Sequence, residues 1–137
     1  MIAKFLKKII AQNQEDLRVI SALCADATIK QSEIKFLKKN KIFLISLERE
    51  NKEKINSKEK INSILKFEFI ERSMSKNIDQ NNKENILKLL AIDLFKKDKN
   101  YEIVLLFSNN GIITLHAEVI EIELDNIKLE KENDKNL

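Results

Sequence analysis

The chain has 137 residues, 43% of them apolar and 34% charged, with a formal net charge of +3. A chain of this length buries about two-thirds of its unfolded surface, so a globular domain with a charged exterior is expected and a disordered chain is not. One Gly and no Pro exclude collagen-like, proline-rich and glycine-looped phosphate-binding designs, the single Cys excludes an internal disulfide or a cysteine-built zinc site, and +3 does not by itself demand nucleic acid or a membrane.

Lys7 and Lys8 interrupt the apolar start of the chain, so it lacks the unbroken core of a signal peptide. The densest apolar stretch, Leu87 to Phe95, is broken by Lys88 and Asp93 and is far short of the about 18 residues that a membrane-spanning helix needs. The reading is a cytoplasmic protein without membrane contact, and the lone thiol of Cys24 agrees with a reducing compartment.

In chain order, Lys8 to Ala11 is a short candidate strand. Asn13 to Ala25 is the clearest helix, because Leu17, Ile20, Leu23 and Cys24 form one apolar stripe that extends to Ala27. Asn13 suits the N-cap, and Glu15 and Asp16 suit the first turn of the helix dipole. From Thr28 the period becomes two. Ile29 to Leu37 reads as one strand, Lys38 to Lys41 as a polar turn, and Ile42 to Leu47 as the returning strand of a hairpin.

Residues 52–57 read KEKINS and residues 58–63 repeat it, which marks a surface loop where added length costs little entropy. Ile64 to Ile70 resumes alternation with Leu65, Phe67 and Phe69 on one face, and Ser73 to Asn85 reads as a long loop. Ile86 to Phe95 is apolar on both faces and suits a central strand. Tyr101 to Phe107 and Ile112 to Val119 form a hairpin across Ser108 to Gly111, with Asn110-Gly111 as the turn that tolerates positive φ. After Val119 the alternation slips by one, which a β-bulge or a short helix would explain; a bulged strand is the favoured reading.

The sum is an α+β domain over residues 1–127: one N-terminal helix packed on a curled, mainly antiparallel sheet of about six or seven strands, a partial barrel or roll, followed by a charged tail at 128–137.

The ordered blocks Glu15 to Ala22, Asp26-Ala27, Phe36-Leu37, Leu65 to Glu68, Leu89 to Ile92 and Phe107 to Glu121 give the chain a family likeness. It resembles the short alphaproteobacterial proteins of domain-of-unknown-function family 2948, from about Lys8 to Leu124. The resemblance implies a bacterial cytoplasmic setting and brings no activity. In the family's Arg-x-x-Trp-Glu element, Arg49 and Glu53 would match while Lys52 stands in the Trp position. Asn109 and Asn110 replace glycines, and Thr114 and His116 stand where the family commonly has Arg and then Glu.

Chemistry-bearing residues are few. His116 is the only histidine and lies on the solvent-leaning face of its strand, which excludes two-His metal sites. Cys24 lies in the helix stripe and reads as a small buried hydrophobe; a Cys24–His116 dyad has no orienting third group in the sequence. Glu121, Glu123 and Asp125 share a face and could meet a hard cation, but such a row is more often the wet side of a sheet or a charged edge. Arg49 and Arg72 are the only arginines outside the helix, and Lys38, Lys39 and Lys41 crowd one turn. These five are the binding candidates, with ordinary solvation or surface ion pairing as the competing reading.

No catalytic set converges and no cofactor is implied. The expected function is a non-catalytic protein-interaction or assembly domain, its partner another protein or a second copy of itself. The alternative is weak RNA binding through the lysine-rich turns, and a small enzyme with a pocket in the roll ranks third.

Overall fold

The computed structural model describes residues 8–52 and 59–127. Strand β1, Lys8–Ala11, leads into α1, Gln14–Cys24, the one α-helix among the described residues. The Asn13 side chain accepts the Asp16 backbone N–H at 2.8 Å, the capping bond its residue type predicts. Leu17, Ile20 and Cys24 are buried, and the helix packs on the sheet with the Ser21 hydroxyl accepting the Ile92 N–H at 3.0 Å.

Nine further strands follow: β2 Ala27–Lys30, β3 Ile34–Leu37, β4 Ile42–Glu50, β5 Lys60–Phe67, β6 Ile70–Lys76, β7 Ile86–Lys97, β8 Asn100–Phe107, β9 Ile112–Ala117 and β10 Ile122–Asn126. They form one antiparallel sheet in the order β1-β10-β5-β4-β2-β7-β8-β9-β6, with β3 paired to β4 beside β2. The α+β class holds, but the described residues form ten strands in place of the expected six or seven.

Connectivity forces this sheet to roll. From β5 to β6 is six strand spacings in the sheet order, about 29 Å if flat. The chain makes that passage through Glu68 and Phe69 alone, a reach of roughly 10 Å. From β9 to β10 it again crosses six spacings, with only residues 118–121 to do it. Both passages are possible only if the two halves of the sheet curl toward each other. The core fills the inside of that curl, with Phe43, Ile45, Leu65, Phe67, Leu105 and Leu115 among its buried side chains. An apolar interior of this extent is the dominant stabilising term of the fold.

Several sequence expectations are corrected. Ile29 to Leu37 is not one strand: a 3-10 turn at Gln31–Glu33 separates β2 from β3. The reason is tertiary: the Gln31 N–H extends the β2–β7 register by one bond to the Asn85 carbonyl (2.8 Å), and the Ser32 N–H then turns to the Lys83 carbonyl (3.0 Å). Ser73 to Lys76 belongs to β6 rather than to a loop, paired with β9 despite its polar sequence. Phe69 does not continue the face of Leu65 and Phe67; it sits at the bend with φ 60.

In the last hairpin the positive-φ residues are Asn109 and Asn110, while Gly111 has φ −74. Glycine is there for room: a Cβ would lie 3.2 Å from Cγ1 of Ile78. The phase slip after Val119 is neither a bulged strand nor a helix. Strand β9 ends at Ala117, and β10 begins afresh on the other half of the sheet. The second KEKINS copy is also more than loop, since residues 60–63 are strand and Ser63 is buried. The tail at 128–137 lies outside the described residues.

Candidate functional site

The five binding candidates do not come together at one site. Arg49, on the inward face of β4, is 1% exposed. Its Nε donates to the Ser63 hydroxyl at 3.1 Å and its Nη2 to Asn126 Oδ1 at 3.0 Å, while the Ser63 hydroxyl also donates to Asn126 Oδ1 at 2.9 Å. This network ties β4, β5 and β10 together and holds the guanidinium in the interior instead of on the surface. A guanidinium whose donors are met by fixed oxygens is tolerable in a core, where a stranded one is not. Arg72 is exposed on β6, opposite His116 of β9.

Lys38, Lys39 and Lys41 cluster at the turn between β3 and β4, a 3-10 turn over Lys38–Asn40 with Lys41 at φ 59. The Lys41 ammonium donates to Glu71 Oε2 at 3.0 Å. That bond, with Glu118 nearby, raises the Lys41 pKa above 10.5. Glu71 is held below its ordinary 4.5 by the same lysine bond and by a hydrogen bond with Glu118. The Ile70 N–H donates to the Lys41 carbonyl at 2.8 Å, so this turn is fastened to the start of β6.

The turn therefore borders the place where both chain crossovers occur. There the Glu118 N–H donates to the Phe69 carbonyl (3.3 Å) and the Glu68 N–H to the Glu121 carbonyl (3.0 Å), joining the two bends. Phe69 is 40% exposed and Val119 47%. Around them stand carboxylates from both bends and the three lysines of the turn. A phenylalanine in left-handed backbone geometry is disfavoured by sterics, and its exposure at this bend adds a solvation cost. In the sequence, alternation sets Phe69 on the face of Leu65 and Phe67, and nothing local announces the bend.

The acidic row is real but is matched by cations. Carboxylate oxygens of Glu68, Glu121 and Glu123 lie within 4.8 Å of one another. Lys66 reaches Glu68 at 3.2 Å, Lys8 reaches Glu123 at 3.7 Å and Asp125 at 3.8 Å, and Gln12 donates to Glu121 at 3.4 Å. The Glu68 hydrogen bond raises the Lys66 pKa. Because β10 lies between β1 and β5, the row is an outer face and not a sheet edge.

The residues from 7 to 136 match the model of a family described as a protein of unknown function, DUF2948. The chain belongs to that family. DUF2948 thus covers every described element, from β1 to β10. Among solved structures, it is similar to an uncharacterized protein from Neisseria gonorrhoeae, at 18% identity and a TM-score of 0.45, covering 87% of this chain and 97% of that one. No curated protein matches.

In this DUF2948 chain, Lys52 closes the end of the helix. Its ammonium donates to the carbonyls of Ala22 (2.9 Å) and Ala25 (3.0 Å), placing a cation at the C-terminus of α1, whose last turn has no basic residue of its own. His116 is on the outer face, with Nδ1 3.7 Å from Glu102 Oε2. Cys24 is buried under the helix, on the inner side of the sheet, so these two residues form no dyad. Among the described residues no helix is long and apolar enough to cross a membrane.

Proposed function

We propose that the chain is a non-catalytic assembly domain whose contact surface is the crossover end, and that the surface is covered by a second copy of the chain. The observation that carries this reading is Phe69: a bulky apolar side chain kept at φ 60 and left 40% exposed. Local sterics and solvation both favour Gly or Asn there, so the ring's retention calls for something that covers it. Val119 beside it enlarges the apolar centre.

The rim supports self-association. Both signs stand at this end, the lysine turn bonded to Ile70 and Glu118 and Glu121 on the bends bonded to Phe69 and Glu68, so a second copy can set each sign against its opposite. RNA binding is the second reading, favoured by the exposed ring beside three lysines, since bases stack on aromatics. The carboxylates of Glu68, Glu71, Glu118 and Glu121 at the same end repel phosphate and favour protein.

Sedimentation velocity over a concentration series tests both. A concentration-dependent dimer is expected, lost in Phe69→Asn, which keeps a residue tolerant of positive φ. A monomer at every concentration overturns the proposal. RNA binding at low salt that weakens on adding salt, and that needs Phe69, establishes the second reading in its place.

A further inference from the structure

Away from the crossover end, β3 and β6 face each other across the mouth of the roll. The described residues form no strand pairing between them: β3 pairs only with β4, and β6 only with β9. The slot is closed at one end by the Lys41–Ile70 and Lys41–Glu71 bonds. At the other it is closed by residues 77–85, a strap fastened to the turn at Gln31–Glu33 through the Asn85 and Lys83 carbonyls.

Between these ends is a cleft of about 170 Å³. Ile34 and Phe36 of β3 form one wall, Phe43 and Ile113 reach it from the core, and Ile78 of the strap lies on it. Phe36 and Phe43 meet edge to face with ring centroids 6.0 Å apart, an aromatic corner. Ser73 of β6 and Lys83 of the strap supply polar atoms.

Gln31 also lines the cleft and is 5% exposed. Its Nε2 donates to the Asp79 carbonyl at 2.7 Å, which fixes the amide and turns the oxygen away from Asp79. That oxygen is the one buried side-chain polar atom of the described residues without a hydrogen-bond partner. Buried acceptors are rarely left so, and this one belongs to a wall of the cleft.

We propose that the slot between β3 and β6 is a binding site for a small single-ring aromatic acid bearing a hydroxyl or ring N–H. A cavity of about 150 Å³ takes one benzene ring, so the cleft fits a single ring and not a nucleotide or a lipid. The ring lies in the corner of Phe36 and Phe43, its donor meets Gln31 Oε1, and its carboxylate faces the ammonium of Lys83, which has no ion pair among the described residues. The apolar walls supply contact area and the two polar groups set orientation.

The test uses the full chain and three probes, 4-hydroxybenzoate, benzoate and phenol, titrated by ¹H–¹⁵N NMR. Saturable shifts at Ile34, Phe36, Ile78 and Ile113 are expected with 4-hydroxybenzoate, and affinity about tenfold lower with either probe that lacks one polar group, the worth of one net hydrogen bond. Gln31→Leu should bring 4-hydroxybenzoate and benzoate to equal affinity. Lys83→Met, at an exposed position that leaves the fold intact, should erase the advantage of the carboxylate. No saturable shift with any probe, or equal affinity for all three, overturns the proposal. It stands independently of dimerisation, because Phe69→Asn should bind the probes as the native chain does.

Discussion

Single residues carry more of this structure than their chemistry announces. Ser63, from the second copy of a hexapeptide repeat, is fully buried and serves both Arg49 and Asn126. Ser63→Ala leaves the guanidinium short of an acceptor, and a loss of about 1–3 kcal/mol is expected from urea denaturation. Ser46→Ala, on the outward face of the neighbouring strand, should stay within about 0.5 kcal/mol of the native value. At the last hairpin, Asn110→Ala should cost about 1–2 kcal/mol because φ is 64 there. Gly111→Ala meets a different obstacle, the Ile78 side chain, and loosens the strap without backbone strain. Residue types predicted the turn correctly. Which residue took which conformation depended on packing against Ile78 of the distant strap, and no local pattern records that.

At the scale of elements, the hydrogen bond between Lys41 and Glu71 joins the β3–β4 turn to β6, and its pH dependence has a definite sign. Glu71 is depressed in the folded state, so its contribution is full above 4.5 and is lost as pH falls through its lowered value. Lys41 is raised, so its contribution is full below 10.5 and is lost as pH rises through its higher value. The stability difference between the native chain and Glu71→Gln should therefore be flat across neutral pH and shrink at both extremes, measured by denaturation at each pH. Elements with strong internal pattern were legible: α1 from its stripe and cap, β7 from its two apolar faces, and the β3–β4 and β8–β9 hairpins from their turns. Strand β6 was not, because Ser73, Ser75 and Lys76 have no inward apolar phase; its pairing is imposed by β9. The break between β2 and β3 was equally hidden, since the strap that causes it is distant in sequence.

For the whole molecule, alternation revealed strands but not their order, and the order makes the roll. The candidate site shows the same limit. Lys38, Lys39 and Lys41 were visible as a charged turn, but Phe69, Val119 and the slot exist only once two crossovers bring separated segments together. Because strand pairing joins every described strand from β1 through the central strands into one sheet around one core, unfolding should be a single transition. Fluorescence of Tyr101 and far-ultraviolet circular dichroism should give coincident urea curves, and refolding should take milliseconds to seconds as expected for non-local strand pairing. The pairing of β1 with β10 has a mechanical consequence. The chain enters the sheet at Lys8 and leaves it at Asn126, antiparallel neighbours at one corner. A load applied through the two ends therefore peels β1 away one hydrogen-bonded pair at a time instead of shearing the whole ladder at once, and the roll opens under tension from that seam.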